Sequence, residues 1–127
     1  MNKFPIGPIQ DSCTTPDATP VSIATTFLDL LETVVVRAFV VARRPDTMAS
    51  KGWQLSAMVK RLNGTCSVES LVGPASPLVS AGDATPMSGC AVSINANADA
   101  SFSVAVTGMA GVSVNWFTTL VGVSVLD

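Results

Sequence analysis

Acidic side chains are the main groups in this sequence that could do chemistry, because its 127 residues include neither histidine nor tyrosine. Without histidine, the chain lacks the commonest general base and the commonest transition-metal ligand. Asp29 and Glu32 stand three residues apart near a possible helical turn, where they could bind a cation, although this position favours capping of the turn. Most other carboxylates fall in predicted turns, where Asp usually bonds its own backbone.

Serine and glycine complete the set of residues with possible chemistry. Ser56, Ser67 and Ser93 have no base that would activate them as nucleophiles. Gly108 and Gly111 could belong to a phosphate loop, but no P-loop lysine follows, so they indicate a hairpin turn. We therefore predict a non-enzymatic protein with no catalytic residue, no metal site and no cofactor, and a hydrolase is the least favoured alternative.

Two tryptophans could act as a platform for a sugar ring. Trp53 and Trp116 are both in register with apolar neighbours, and this favours packing in the core over exposure. A carbohydrate-binding module that uses Trp53 or Trp116 is kept as an alternative function from a different class.

The three cysteines have spacings that match neither a zinc site nor a disulfide framework. Cys66 and Cys90 fall in phase with apolar neighbours, so we predict that both are small buried hydrophobic residues. A bridge between Cys66 and Cys90 is the alternative. Cys13 lies among Thr and Pro and is predicted to be exposed, which suggests assembly in a reducing cytosol.

Charged residues are scarce in this chain. They make up 13% of the sequence, against 48% hydrophobic residues, and the formal net charge is −2. This charged share is about half that of an ordinary soluble domain, so the surface is poorly suited to a free monomer. The seven Lys and Arg residues are scattered, which argues against nucleic acid as a partner. No apolar run has the length of a membrane span or of a signal peptide, so no membrane partner is expected.

Alternation of apolar and small polar residues is the main structural signal. It predicts antiparallel strands at 90–97, 101–107 and 112–126. In the last of these the apolar phase changes after Trp116, which predicts a β-bulge near residues 118–122. Earlier strands are predicted at 21–27, 53–60 and 65–72, the last two joined by a hairpin at Asn63-Gly64.

Residues 33–44 predict a long strand that is apolar on both faces. Val34, Val36, Ala38, Val40 and Ala42 share one face. The opposite face is too apolar for water alone, so we expect the N-terminal segment or another copy of the chain to cover part of it. Seven or eight such strands predict an all-β fold, an antiparallel β-sandwich or jelly roll. The candidate interface residues on the second face are Val35, Phe39 and Val41.

Residues 1–20 differ from the rest because they contain four prolines. Such a segment is expected to stay out of a ladder and to follow an extended path. We therefore divide the chain into an extended N-terminal arm at 1–20 and a β-sandwich domain at 21–127. The arm is either a frayed terminus or a segment that lies along a neighbouring subunit, with anchors at Phe4, Ile6 and Ile9.

Four segments carry a resemblance to a known family. They are VVARR at 40–44, the hairpin from GWQL at 52–55 to VKRLNG at 59–64, SLVG at 70–73, and VTGMAGVSVNW at 106–116. From residue 34 to the C-terminus, the order of elements resembles a β-sandwich domain that recurs in bacteriophage virion proteins, including tail-fibre and capsid-associated proteins.

The resemblance implies a structural part of the particle surface, often trimeric and without catalytic residues. The chain shows no coiled coil or collagen-like repeat, so it looks more like a capsid decoration, or cement, protein than a fibre tip. The implied partners are further copies of the chain, as a homotrimer, and the major capsid protein. The implied location is the capsid surface of a virion assembled in the host cytoplasm, and a tail-fibre, spike or collar component is the alternative.

Overall fold

In a computed structural model, eight β-strands make up the regular structure of the residues that can be described. The structure describes residues 6–62, 66–69 and 77–126, and every regular element in these ranges is a strand. The prediction of an all-β fold is therefore confirmed. The strands are β1 (Ile6–Thr15), β2 (Val21–Phe27), β3 (Glu32–Arg43), β4 (Ser50–Arg61), β5 (Cys66–Glu69), β6 (Ala91–Ala96), β7 (Ser101–Thr107) and β8 (Val114–Leu126).

The strands form two antiparallel sheets, and the architecture is a β-sandwich. The larger sheet has the order β1-β8-β3-β4-β5 and the smaller one has the order β2-β7-β6. Three connections join neighbours within a sheet, and the other four pass from one sheet to the other. The inner faces of the two sheets share one apolar core, as expected when sheets pack face to face. The turn predicted at Asn63-Gly64 lies outside the described residues.

The N-terminal segment is in part a strand of the larger sheet. Residues of β1 pair with β8 from Thr15, opposite Val114, to Ile6, opposite Gly122. The expectation that this proline-containing segment stays out of a ladder is therefore wrong for 6–15. The physical reason is its position, because an edge strand needs to donate hydrogen bonds on one side only. The register shifts between Ile6 and Ile9, on either side of Pro8.

The central strand β3 has the two apolar faces that the sequence predicts. It pairs without interruption with β4 on one side and with β8 on the other. Its even-numbered residues from 34 to 42 are buried in the core. Val35, Phe39 and Val41 point the other way and are exposed. No described segment of the chain covers them.

The predicted bulge at 118–122 is wrong with respect to β3. The register between β3 and β8 is constant from Arg43, opposite Asn115, to Glu32, opposite Leu126. The inward positions of β8 therefore stay even-numbered throughout, and they end on Gly122 and the buried Ser124. The hydrophobic pattern shifts because the outward residues Val121, Val123 and Val125 are apolar. The alternation of inward and outward positions along the strand does not change.

A side chain of β1 accepts a hydrogen bond from a β-bulge in the other sheet. The pairing of β2 with β7 shifts between Ile23 and Thr26, and Ala24 there has a positive φ of 53°. This conformation turns the backbone N–H of Ala24 away from β7. The carboxylate Oδ2 of Asp11 accepts a hydrogen bond from that N–H at 2.9 Å. Asp11 therefore links the first strands of the two sheets.

Candidate functional site

The side of the larger sheet that faces away from the core carries six of the thirteen large hydrophobic residues that are exposed in the described part of the chain. We call it the outer face, and its rows run across strands β4, β3 and β8. Met58, Val35 and Val123 form one row, and Val41 and Phe117 belong to another. Further outward residues of the same strands are Arg37, Phe39, Gln54, Ser56, Thr119, Val121 and Val125.

Large hydrophobic side chains of the outer face lie in contact with solvent. Phe39 is 40% exposed and Val123 is 58% exposed, and Val35, Val41, Phe117 and Val125 have similar values. With ordinary residue areas, these six residues present about 500 Å² of largely apolar surface. The largest apolar patch on a typical monomer has about this size, and such a patch is often functional.

Two shallow grooves cross the outer face. The first has a volume of about 320 Å³, and its lining includes Val35, Phe39, Val121 and Val123 together with Arg37. The second has a volume of about 260 Å³ and lies between Phe39 and Phe117 on the other side. Phe39 separates the two grooves, so a partner side chain could insert on either side of its ring.

Arg37 is a cation in the middle of this apolar surface. Its cross-strand neighbours are Ser56 on β4 and Val121 on β8. It is exposed, and within the described residues it forms no ion pair and no hydrogen bond. A guanidinium on an apolar background favours a partner that brings a carboxylate, because charge-assisted bonds are strong where water is excluded.

A second apolar surface lies at one end of the sandwich, where β2 turns into β3. We call this surface the tip and define it by Phe27, Leu30, Leu31 and Leu62. Phe27 is 66% exposed and Leu31 is 50% exposed, with Leu30 and Leu62 between these values. Asp29 is exposed within the same turn. The sequence suggested only a turn here and did not single out these side chains.

The backbone of the tip is held by a dense set of hydrogen bonds. Leu31 donates its N–H to the carbonyl of Arg61 at 2.7 Å, and Glu32 donates its N–H to the carbonyl of Asp29 at 3.0 Å. Arg61 Nη1 also donates to the carbonyl of Leu28 at 2.8 Å. Leu31 is held at φ 67°, which a bulky side chain rarely adopts. The turn therefore presents its leucines in one fixed arrangement.

The carboxylates singled out in the sequence belong to this turn. Glu32 Oε1 accepts a hydrogen bond from the backbone N–H of Asp29 at 2.8 Å, which is the capping role that the spacing favours. The described residues contain no group of three or more His, Cys, Asp or Glu side chains that could hold a metal. Ser56 lies on the outer face and Ser93 lies on β6, in different sheets.

Both tryptophans are buried, as predicted from their register. Their rings stack at 5.5 Å between centroids with 26° between the planes, and both lie in the core. Trp116 Nε1 donates to Thr15 Oγ1 at 2.9 Å, so its polar edge is satisfied by β1. Neither ring is placed to serve as an exposed sugar platform, and the structure gives no support to a carbohydrate site there.

The two cysteines whose side chains the structure describes, Cys13 and Cys90, carry free thiols. Cys90 is buried with a free thiol, as predicted, and the side chain of Cys66 lies outside the described part of the chain. Cys13 is half-buried rather than exposed, because β1 packs it beside Trp116. Burial raises the pKa of both thiols, and Asp11 raises the pKa of Cys13 further.

The structure places the predicted interface residues of β3 and those of the N-terminal arm in different environments. Val35, Phe39 and Val41 come together on the outer face, as the alternation predicted. Ile9 instead packs against the core of its own chain, because its partner Leu120 points inward. Ile6 belongs to β1, and Phe4 lies outside the described residues. The outer-face valines of β8 were missed, although the change of apolar phase in that strand was a signal for them.

Fold and surface together define the class of protein as an all-β antiparallel sandwich with an exposed apolar outer face and an exposed apolar tip. Comparison with protein-family models, with curated proteins and with solved structures finds no match. No helix among the described residues is long and apolar enough to cross a membrane.

Proposed function

We propose that the chain is a structural protein of a bacteriophage virion, a capsid decoration (cement) protein whose copies associate through their apolar surfaces and stabilise the shell. The observation that carries this proposal is the outer face, which no described segment covers and on which six large hydrophobic residues of the adjacent strands β3 and β8 are exposed. The resemblance of the segments from residue 34 onward to virion β-sandwich domains supports the choice of particle.

Burial of the outer face supplies the energy in this proposal. About 500 Å² of apolar surface at about 25 cal/mol for each Å² gives a gross contribution of about 12 kcal/mol for each copy. Ordering of the subunits and desolvation of polar groups remove much of that gain. In this proposal many copies bind the shell cooperatively, and the chain acts there without catalysing a reaction.

The N-terminal residues are the proposed attachment to the major capsid protein. Because 6–15 form a strand of the sandwich, a clean test deletes 1–5 only and leaves β1 intact. Purified truncated chain is added back to particles that lack the protein, beside the full-length chain. We expect loss of attachment with no change in oligomeric state, and full attachment of the truncated chain would contradict this role of the segment.

Immunogold labelling of intact virions tests the proposed location. Antibodies raised against the purified chain are applied to particles whose genome encodes it. Label over the shell supports a decoration protein. Label confined to the tail replaces it with the tail-fibre, spike or collar alternative, and particles without label contradict both.

A paired substitution tests the role of the outer face in the same particles. Val123→Lys places a charge on the outer face, where the side chain is 58% exposed, so the fold is expected to tolerate it. Ser93→Lys places the same charge on the exposed side of β6 in the other sheet. We expect Val123→Lys to lower the number of bound copies at least tenfold and Ser93→Lys to leave it unchanged.

A further inference from the structure

We propose that two copies of the chain pair through their β6 strands, edge to edge and antiparallel, so that their two smaller sheets join into one continuous sheet around a twofold axis. The proposal concerns the smaller sheet alone and goes beyond the proposed function, which rests on the outer face of the larger sheet. The site consists of main-chain groups of Ala91–Ala96, and the partner is a second copy of the same strand.

Strand β6 lies at an edge of the smaller sheet. It pairs with β7 in a register without shifts, and no described segment pairs with its other side. Just beyond the strand, Asn97 donates its N–H to the carbonyl of Ser101 at 2.8 Å. Hydrogen-bonded pairs alternate along an antiparallel ladder, so the odd-numbered residues of β6 bond β7. The N–H and C=O groups of the three even-numbered residues, Val92, Ile94 and Ala96, therefore point to the free edge.

The other edge strands in the described part of the chain are protected against such pairing. Natural proteins protect edge strands by proline, charge, a bulge or short length. β5 has four residues, and β2 has the bulge at Ala24. β1 contains Pro8, and Asp11 Oδ1 accepts the N–H of Ser12 at 2.8 Å. β6 has none of these features, because its sequence AVSINA contains no proline and no charge and its ladder has no bulge.

The side chains of β6 fit a second copy of the same strand. Val92 and Ile94 pack against the core but are only half-buried, and no further described strand covers their edge side. The register that uses all three free residues places Ile94 opposite its own copy and Val92 opposite Ala96. It closes about six main-chain hydrogen bonds and brings apolar side chains together on the core side. On the opposite side Ser93 lies across from Asn95, so no like charges meet.

A second copy is the partner that the strand itself favours. A twofold axis through Ile94 matches each free N–H with a free C=O, so the edge is complementary to its own copy. Strand addition obtains its affinity from such main-chain bonds and its selectivity from the side chains beside them. No charged side chain on either strand opposes the approach. The contact is small, so we expect it to be weak and to depend on concentration.

Amide hydrogen exchange at a micromolar and a millimolar chain concentration is the decisive experiment, with sedimentation equilibrium to measure the oligomeric state. We expect a monomer at the lower concentration and a dimer at the higher one. The amides of Val92, Ile94 and Ala96 should exchange at least tenfold more slowly in the dimer. The amides of Ser93 and Asn95 bond β7 and should be protected at both concentrations, so they are the internal control.

Other results overturn the proposal. A chain that stays monomeric at the millimolar concentration does so directly. A dimer in which the three amides exchange as fast as in the monomer shows that the copies meet on another surface. Slow exchange of these amides in the monomer shows that another segment of the same chain covers the edge. None of these results bears on the labelling of virions, so failure of this inference is distinguishable from failure of the proposed function.

A pair of variants tests the main-chain groups directly. Ile94→Pro removes the outward N–H of residue 94, and proline is tolerated at an edge where its N–H would face solvent. Ile94→Ala removes most of the side chain and keeps that N–H, so it is the matched control. We expect Ile94→Pro to lower the association constant at least tenfold relative to Ile94→Ala, and equal constants overturn the pairing. Circular dichroism checks both folds, and if Ile94→Pro does not fold, hydrogen exchange of the unmodified chain decides.

Discussion

Replacement of Asp11 by alanine is expected to destabilise the sandwich more than its exposed position suggests. Asp11 lies on the edge strand β1, and its Oδ2 accepts the backbone N–H of Ala24 at 2.9 Å. Ala24 is 3% exposed, and its positive φ turns this N–H away from the ladder with β7. In the Asp11→Ala variant the buried N–H loses its partner.

The size of the effect follows from the kind of hydrogen bond. A bond to a charged acceptor contributes about 1.5–3 kcal/mol, and an unsatisfied buried donor costs about 1–3 kcal/mol. We therefore expect Asp11→Ala to lower the free energy of unfolding by about 2 kcal/mol. At about 4 °C for each kcal/mol in a domain of this size, Tm should fall by about 8 °C. Asp11→Asn keeps a side-chain oxygen as acceptor and is expected to cost less than about 1 kcal/mol.

Urea unfolding of the unmodified chain and the two variants measures these differences. The midpoint should shift while the slope stays constant, since the surface exposed on unfolding does not change. Asp17→Ala is the matched control, because Asp17 is an exposed turn carboxylate that bonds the N–H of Thr19, and we expect a change within about 0.5 kcal/mol. A loss below about 0.5 kcal/mol for Asp11→Ala, or equal losses for Asp11→Ala and Asp11→Asn, would refute the reasoning.

Three further predictions concern the sheet, the core and the loops. Gly122→Ala should lower the free energy of unfolding by about 1–3 kcal/mol in urea titrations, because its Cβ would stand 2.5 Å from a carbonyl oxygen of β3; an unchanged midpoint would contradict this. Thr15→Val should cost about 1–3 kcal/mol and shift the fluorescence of Trp116, whose Nε1–H loses its acceptor. Hydrogen bonds from Arg44 lower the pKa of Asp46. The ion pair therefore stabilises the fold at pH values above the ordinary Asp pKa of about 3.9. This stabilisation is lost as the pH falls through the lowered pKa of Asp46. Melting curves from pH 6 to pH 2 should accordingly show a smaller acid loss for Asp46→Asn than for the unmodified chain.

The positions of most strands could be predicted from the sequence, because a half-buried strand records its two environments in alternating residues. β3 and the core positions of the two tryptophans follow from this local pattern. β7 alternates in sequence as well, although the residues on both of its faces are buried as far as Val106. The edge strand β1 did not, since its prolines forbid only a central position in a sheet. Its docking on β8 depends on a partner about a hundred residues further along the chain.

The outer face shows where alternation gives an ambiguous answer. In β8 the switch of hydrophobic phase toward Val121 has two explanations, a bulge that turns the strand or a strand that is apolar on its exposed side. The sequence contains no information that separates them, because both give the same residue pattern. The constant register with β3 selects the second, and it places these valines beside Val35 and Phe39.

The sequence by itself determined the strand periodicity, the absence of histidine and tyrosine, the low charge and the two-sided apolar character of β3. Those properties depend on residue type and on neighbours one or two positions away. Only the tertiary structure decided the strand order, the bond between Asp11 and Ala24, and the meeting of β3, β4 and β8 in one uncovered surface around Arg37. Each of these depends on pairing between distant segments, because cross-strand neighbours are fixed by register and sheet order rather than by proximity in the chain.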